Sequence, residues 1–369
     1  MKWKLSWLFV WISLSLFITG CSTPQTSSSI SNVPTSAGSE TNEWPTQDWQ
    51  TSSPEAQGMD SRKLSEMLAI IQEKNLDFDS LLVIRHGTIV SETYFDSYDR
   101  DTLHQLFSCT KSFIATLVGI AIDRGLIEDI DQPVLSFYKD AAIENMDPGK
   151  ESMKLDDLLT MRSGLGWVEG NPAYREMSQS ADWAAYVLDK PMVEAPGTRF
   201  NYCSGCSHEL SSILQRATGM NTVDFAEQTL FTPMGITRYK WEKDTRGLSN
   251  GGWGLLLTPR EMAKLGYLYL HAGEWDGQQL VSTDWVRLAT QRHTDATDGL
   301  GYGYQWWTYP LYDAYTALGL YGQTIFVIPG QDLIVVTTAG SLENHSQIFH
   351  LIDDYIFPAI LDSEEENRQ

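Results

Sequence analysis

Ser108-Cys109-Thr110-Lys111 opens the apolar run Ser112-Phe113-Ile114-Ala115-Thr116-Leu117-Val118-Gly119-Ile120-Ala121-Ile122, which stops at Asp123-Arg124-Gly125. A run of this length closed by glycine predicts a buried helix, with Ser108 at its start and Lys111 one turn later on the same face. That spacing lets an amine accept a hydroxyl proton, provided burial or nearby positive charge keeps the lysine neutral. The helix N-terminus also favours developing negative charge. Ser-x-x-Lys is a short motif and recurs at Ser136-Phe137-Tyr138-Lys139. The second copy follows Pro133 and lacks a long buried helix to hold it, which leaves Ser108 the better placed.

Outward from this helix, the two ends of the chain carry similar patterns. Residues 61–74 have apolar positions at helical spacing (Leu64, Met67, Leu68, Ile71), and residues 80–94 read as two strands around His86-Gly87. A second hairpin is expected around Pro329-Gly330 within residues 322–338, followed by an apolar helix over residues 346–360. The middle, residues 107–285, is mostly helical pattern broken by Gly- and Pro-rich loops. The expected fold class is therefore α+β: an antiparallel sheet formed from both chain ends, flanking helices, and an inserted helical region with a cleft beside it.

Two further stretches could carry chemistry. Tyr202-Cys203-Ser204 stands directly before an amphipathic helix, and a tyrosine near a lysine can shuttle a proton. Ala317-Leu318-Gly319-Leu320-Tyr321-Gly322-Gln323 enters a strand, where glycine lets a backbone N–H approach a substrate. Around them lie Leu158-Leu-Thr-Met-Arg-Ser-Gly-Leu165, Pro196-Gly-Thr-Arg-Phe-Asn-Tyr202, Gly251-Gly-Trp-Gly-Leu-Leu-Leu-Thr-Pro-Arg-Glu-Met-Ala-Lys264 and Tyr302-Gly-Tyr-Gln-Trp-Trp307.

In order and spacing these motifs resemble the serine β-lactamase and penicillin-binding-protein superfamily, in its class C-like branch of esterases, D-amino-acid peptidases and 6-aminohexanoate-dimer hydrolases. The resemblance covers about residues 53–361. It implies a β-lactamase-like fold and an acyl-enzyme on Ser108, with Lys111 and Tyr202 as the acid/base pair. It also implies an oxyanion hole from the backbone N–H groups of Ser108 and Leu320. Ser204 and Gly319 are expected at the substrate, with Trp167 and Tyr321 at the pocket rim. No cofactor is expected. The sequence departs from the family in two places. Ala317 stands where the third motif usually begins with Lys or His, so the cation for a substrate carboxylate is missing. Ser204 stands where many relatives have Asn. The expected substrate is accordingly a small-molecule ester or amide without an essential carboxylate near its acyl group. Two alternatives remain: a penicillin-sensor-like or binding protein without turnover, and a D-stereospecific peptidase acting on peptidoglycan, which Ala317 disfavours.

At the N-terminus, Lys2 and Lys4 precede an apolar run that ends at Ile18-Thr19-Gly20-Cys21. This reads as a lipoprotein signal over residues 1–20, with Cys21 as the lipidated first residue of the mature chain. An ordinary signal peptide with an incidental cysteine is the alternative. Residues 21–52, rich in Ser, Thr, Pro and Gly, read as a disordered tether, residues 53–362 as the catalytic domain, and residues 363–369 as an acidic tail. Removing the two signal lysines leaves 24 basic against 48 acidic residues, a net charge of −24. Such acidity argues against nucleic-acid partners and against electrostatic attachment to anionic lipid. Membrane attachment would thus rest on the Cys21 lipid, at the bacterial cell envelope.

The seven histidines are scattered, and Cys203-x-x-Cys206 lacks a second pair at metal spacing, so no metal is expected. Outside the cytoplasm thiols tend to pair. Family geometry would bring the Ser108 and Tyr202 motifs together, which suggests a disulfide between Cys109 and Cys203. The rival Cys203–Cys206 pair closes a tighter loop, and buried free thiols remain a third possibility.

Overall fold

A computed structural model of the protein describes residues 44–139, 141–297, 299–341 and 345–361. The signal over residues 1–20, Cys21, the tether as far as residue 43 and the acidic tail lie outside the described residues.

The sheet is built from both ends of the chain, as expected. Helix α1 (Ser61–Glu73) leads into strands β1 (Phe78–Arg85) and β2 (Thr88–Tyr94). After the helical region come β3 (Thr294–Asp295), β4 (Gly301–Tyr302), β5 (Trp307–Tyr309), β6 (Ala314–Gly319), β7 (Gln323–Ile328) and β8 (Leu333–Ala339). Among the described residues they form one antiparallel sheet in the order β2-β1-β8-β7-β6-β5-β4-β3. The two termini meet where β1 pairs with β8, Leu81 opposite Thr337 and Val83 opposite Val335.

Both faces of this sheet are covered, so β1 is buried along its whole length. Side chains alternate between faces in a strand, and the two cores divide accordingly. Leu81, Val83, Phe326, Ile328 and Val335 pack with Met67 and Ile71 of α1 and with Ile348 and Leu351 of the C-terminal helix. Leu82, Ile84, Ile325, Val327, Ile334 and Val336 face the larger core of the helical region. In that region helix α2 (Thr110–Asp123) is buried almost throughout, which is why its sequence is apolar on every side. It packs against α3 (Ser204–Thr218), and α4 (Pro259–Leu270) lies between this core and the sheet. The apolar stretch at the C-terminus begins as α5 (Ser346–Leu351), passes into a wider turn over Ile352–Ile356 and ends in a tight turn at Phe357–Ala359. Pro358 cannot continue the helix ladder.

The tether reading needs correction for residues 44–52. Trp49 is only 4% exposed, and its indole N–H donates to the Arg260 carbonyl at 2.9 Å. Trp44 packs against Tyr267, His271 and Trp275. The tether as a whole is rich in Ser and Thr, but the two tryptophans of residues 44–52 decide the structure of that stretch by burying apolar area on α4.

Candidate active site

The residue preceding Ser108, Phe107, has φ of +45°, a left-handed conformation uncommon for a bulky residue. A short 3-10 turn, Phe107–Cys109, thus precedes α2 and leaves Ser108 half-buried while Cys109 points inward. Lys111 is 1% exposed. Its Nζ lies 2.8 Å from Ser108 Oγ, 3.0 Å from Ser204 Oγ and 2.7 Å from the carbonyl oxygen of Gly252. Burial pulls the Lys111 pKa down to about 8, against the opposing charge of Glu169.

Tyr202 sits just before α3, with its ring 5.0 Å from Lys111 Nζ and stacked on Trp307 at 5.6 Å. Burial pushes its phenol well above the ordinary value, helped by Tyr302 and Glu169 and opposed by a hydrogen bond with Ser108. The phenol is therefore protonated at neutral pH. Three side chains from two separate stretches converge: the Ser108 hydroxyl, the Lys111 amine one turn later, nearly half neutral near pH 8, and the protonated phenol of Tyr202. The second Ser-x-x-Lys copy forms no such group. Lys139 is exposed and Ser136 accepts a hydrogen bond from Gln132 at 3.0 Å.

Close backbone approach shapes the rest of the site. A Cβ on Gly319 would lie 2.2 Å from the Leu106 carbonyl oxygen, so only glycine lets the end of β6 press against the Ser108 turn. This puts Leu320 and Tyr321 beside that turn, with the Tyr321 ring edge-on to Phe107 at 5.4 Å. Their side chains are 47% and 39% exposed. A Cβ on Gly252 would meet the Ser204 carbonyl oxygen at 2.7 Å. The absence of a side chain there brings the Gly252 carbonyl to Lys111. The flanking signatures brace these parts. Gln305 donates to the carbonyls of Leu158 and Leu159, and accepts from Ser207 at 2.7 Å and, through its carbonyl, from Ser112 at 2.8 Å. It thereby ties α2 and α3 to the Leu158–Leu165 stretch, whose Met161 carbonyl accepts from the Asn201 N–H at 2.8 Å.

Two expectations are corrected by this geometry. Cys203 is paired with Cys206, with Cα atoms 5.2 Å apart, and Cys109 is a buried free thiol. The Ser108 and Tyr202 motifs do meet, but the Cys109 sulfur points the other way, toward the Gln323 carbonyl of β7 at 3.5 Å. Trp167 is not at the rim. It is 3% exposed, and its indole N–H donates to Glu169. Ser204, expected at the substrate, is buried, and its hydroxyl is engaged by Lys111 and Glu169.

Glu169 was not singled out in the sequence. Its carboxylate receives the Trp167 indole, the Tyr174 hydroxyl, and both the backbone N–H and the hydroxyl of Ser204. A lone glutamate in a loop carries no periodicity or spacing that would have marked it. A cleft of about 180 Å³ is lined by Gly164, Leu165, Val193, Glu194, Phe200 and Asn201, among others. A groove of about 520 Å³ lies at the opposite end of α2, around Ile120, Asp123 and Arg124.

Comparison with known proteins agrees with this architecture. Residues 69–349 match the Beta-lactamase family model. The 6-aminohexanoate-dimer hydrolase of Paenarthrobacter ureafaciens is 26% identical over 282 residues, covering 70% of this chain and 71% of the relative. Among solved structures, a family VIII carboxylesterase superposes with a TM-score of 0.66 at 17% identity, covering 80% of this chain and 96% of the other. An octameric penicillin-binding protein homologue from Pyrococcus abyssi gives 0.66 at 19% identity, over 82% and 78%. With a family match across most of its length and a β-lactamase-like sheet and helical region, the chain belongs to the beta-lactamase family and is a serine hydrolase.

Proposed function

We propose that the protein hydrolyses a small-molecule ester or amide through an acyl-enzyme on Ser108. The observation that carries this is the 2.8 Å contact between Ser108 Oγ and the buried Lys111 Nζ, an amine whose pKa burial brings down to about 8. In the first half-reaction Lys111 takes the Ser108 proton as Oγ attacks the carbonyl carbon. Tyr202, a protonated phenol, relays that proton to the departing alcohol or amine. The backbone N–H groups of Ser108 and Leu320 receive the oxyanion. A water molecule then attacks the acyl carbon and gives its proton back through the same groups, which frees the acid and restores Ser108.

Ala317 is buried in β6 opposite Ile325, and the side chains exposed beside Ser108 are the apolar Leu320 and Tyr321. Both features favour an uncharged acyl group. The test is intact-protein mass after exposure to a fluorophosphonate. A single adduct on the wild type, lost in Ser108→Ala, much slowed in Lys111→Ala and retained in Ser136→Ala, is expected. No adduct on folded wild type would leave a binding protein in its place.

We also propose that the enzyme is exported and held at the cell envelope by a lipid on Cys21, on the strength of the Ile18-Thr19-Gly20-Cys21 sequence. Metabolic labelling with an alkyne fatty acid should tag the wild type and not Cys21→Ala. Equal labelling of both would contradict it.

A further inference from the structure

Glu169 is surrounded by donors: the Trp167 indole N–H, the Tyr174 hydroxyl, the Ser204 backbone N–H at 3.0 Å and the Ser204 hydroxyl. With four donors aimed at it, the side chain acts only as an acceptor, as a carboxylate does. This has a consequence one bond further on. Ser204 has given its single proton to Glu169, so its Oγ can meet Lys111 Nζ, 3.0 Å away, only as an acceptor. The Gly252 carbonyl, 2.7 Å from the same nitrogen, is also an acceptor. A neutral amine has two N–H bonds and one lone pair. With both N–H bonds directed to Ser204 and Gly252, the lone pair is left for the remaining neighbour, Ser108 Oγ. If Ser204 were released, its hydroxyl could turn and donate to that lone pair, and the amine would be unable to take the Ser108 proton.

We propose that Glu169 is a positioning residue for the Ser108–Lys111 pair: by holding the Ser204 hydroxyl as an acceptor, it aims the lone pair of neutral Lys111 at Ser108. This rests on the reading of Ser108 as the nucleophile given above. Charge provides a second, separable effect. The titratable groups around Lys111 are Cys109 on the preceding turn, Tyr202 before α3 and Glu169 in its loop, with Tyr174 and Tyr302 acting on Tyr202 from behind. Burial drives Cys109 and Tyr202 toward their neutral forms, so the negative charge that Lys111 feels is that of Glu169. Removing it lets burial lower the lysine further, and the amine becomes neutral at lower pH.

The experiment is the rate of acylation by p-nitrophenyl butyrate and by a fluorophosphonate across pH 5–10, for wild type, Glu169→Gln and Ser204→Ala. Both variants should acylate about 10- to 100-fold more slowly at their plateau, as expected for a misaimed base. Glu169→Gln should also move the acid limb of the profile down by about one pH unit, while Ser204→Ala, which keeps the carboxylate, leaves it in place. A merely structural role would lower both rates without moving the limb. Glu169→Gln with the wild-type rate and limb overturns the proposal, and so does a slowed Glu169→Gln with an unmoved limb. Should Glu169→Gln fail to fold, Ser204→Ala decides, since acylation at the wild-type rate overturns it equally. A wild type that takes no adduct removes the nucleophile reading itself, which separates the two failures.

Discussion

Lys111 shows how burial converts a residue into a reagent. In water its amine would be almost wholly protonated at pH 8. Inside the helical region it titrates near that value, and a proton acceptor becomes available. The sign of the pH dependence follows: kcat/KM should rise as pH rises through about 8, where Lys111 loses its proton, and Lys111→Arg, which keeps the charge but cannot give up a proton, should fall about 10²- to 10⁴-fold at every pH. A profile flat from pH 6 to 10 would count against lysine as the base. The Ser108–Lys111 pair was marked in the sequence by its spacing at the start of an apolar helix, whereas Tyr202 was marked by the resemblance of its motif to the family. Glu169 was not legible, since its role depends on a loop that folds back over the first turn of α3. Trp167 was misread for the same reason: its partner two residues away is seen only once the loop has its shape. The cysteine pairing failed differently. Bringing two motifs together fixes the distance between backbones and not the direction of the side chains, and Cys109 faces β7 while Cys203 faces Cys206.

The elements matter here through how closely they approach. Gly319 lets β6 reach the Ser108 turn, and Gly319→Ala would drive a Cβ to within 2.2 Å of a backbone carbonyl that has no rotamer with which to escape. The strand and turn must separate, so acylation should fall by about 100-fold or more, measured by fluorophosphonate labelling, while the variant retains its fold by circular dichroism. On α3, Glu209 is fully buried among Tyr138 and Ser212, and burial raises its carboxyl well above the ordinary range. A carboxyl raised in the folded state binds its proton more tightly there than in the unfolded chain. Its contribution is therefore intact below about pH 4.5 and is lost as pH rises toward the folded value. Glu209→Gln should remove that loss, making the fall in melting temperature between pH 5 and pH 8 smaller than in the wild type. An unchanged difference would show that Glu209 does not titrate across that window. Element boundaries were readable where turn residues and periodicity coincide, as at His86-Gly87 and Pro329-Gly330. They were less so at the C-terminus, where one apolar pattern covers three kinds of helical turn.

At the scale of the whole molecule, the N-terminal part of the chain is tied both to the C-terminal strand and to the helical region. The β1–β8 pairing closes the sheet, and the arm from Trp44 to Gln50 straps onto α4, where Arg260 pairs with both Asp48 and Glu92 of β2. Trp49→Ala should cost about 3–5 kcal/mol of stability, read from denaturant unfolding, as a large core truncation does. A loss within 0.5 kcal/mol would mean that the arm is not part of the folded unit. That arm hid behind a Ser- and Thr-rich composition, whereas the two-ended sheet was visible from matching helix and hairpin patterns at either end. The sheet and the helical region together bring the Ser108–Lys111 pair and Tyr202 into contact from two distant stretches of chain, and this contact is expected to produce a covalent intermediate on Ser108. The most direct measurement is acid quench during turnover of p-nitrophenyl butyrate, followed by peptide mass mapping. A butyryl group is expected on the peptide carrying Ser108, absent in Ser108→Ala and accumulating faster at pH 9 than at pH 7. Product released by the wild type with no acyl group on any peptide, or with the group on another residue, would contradict it.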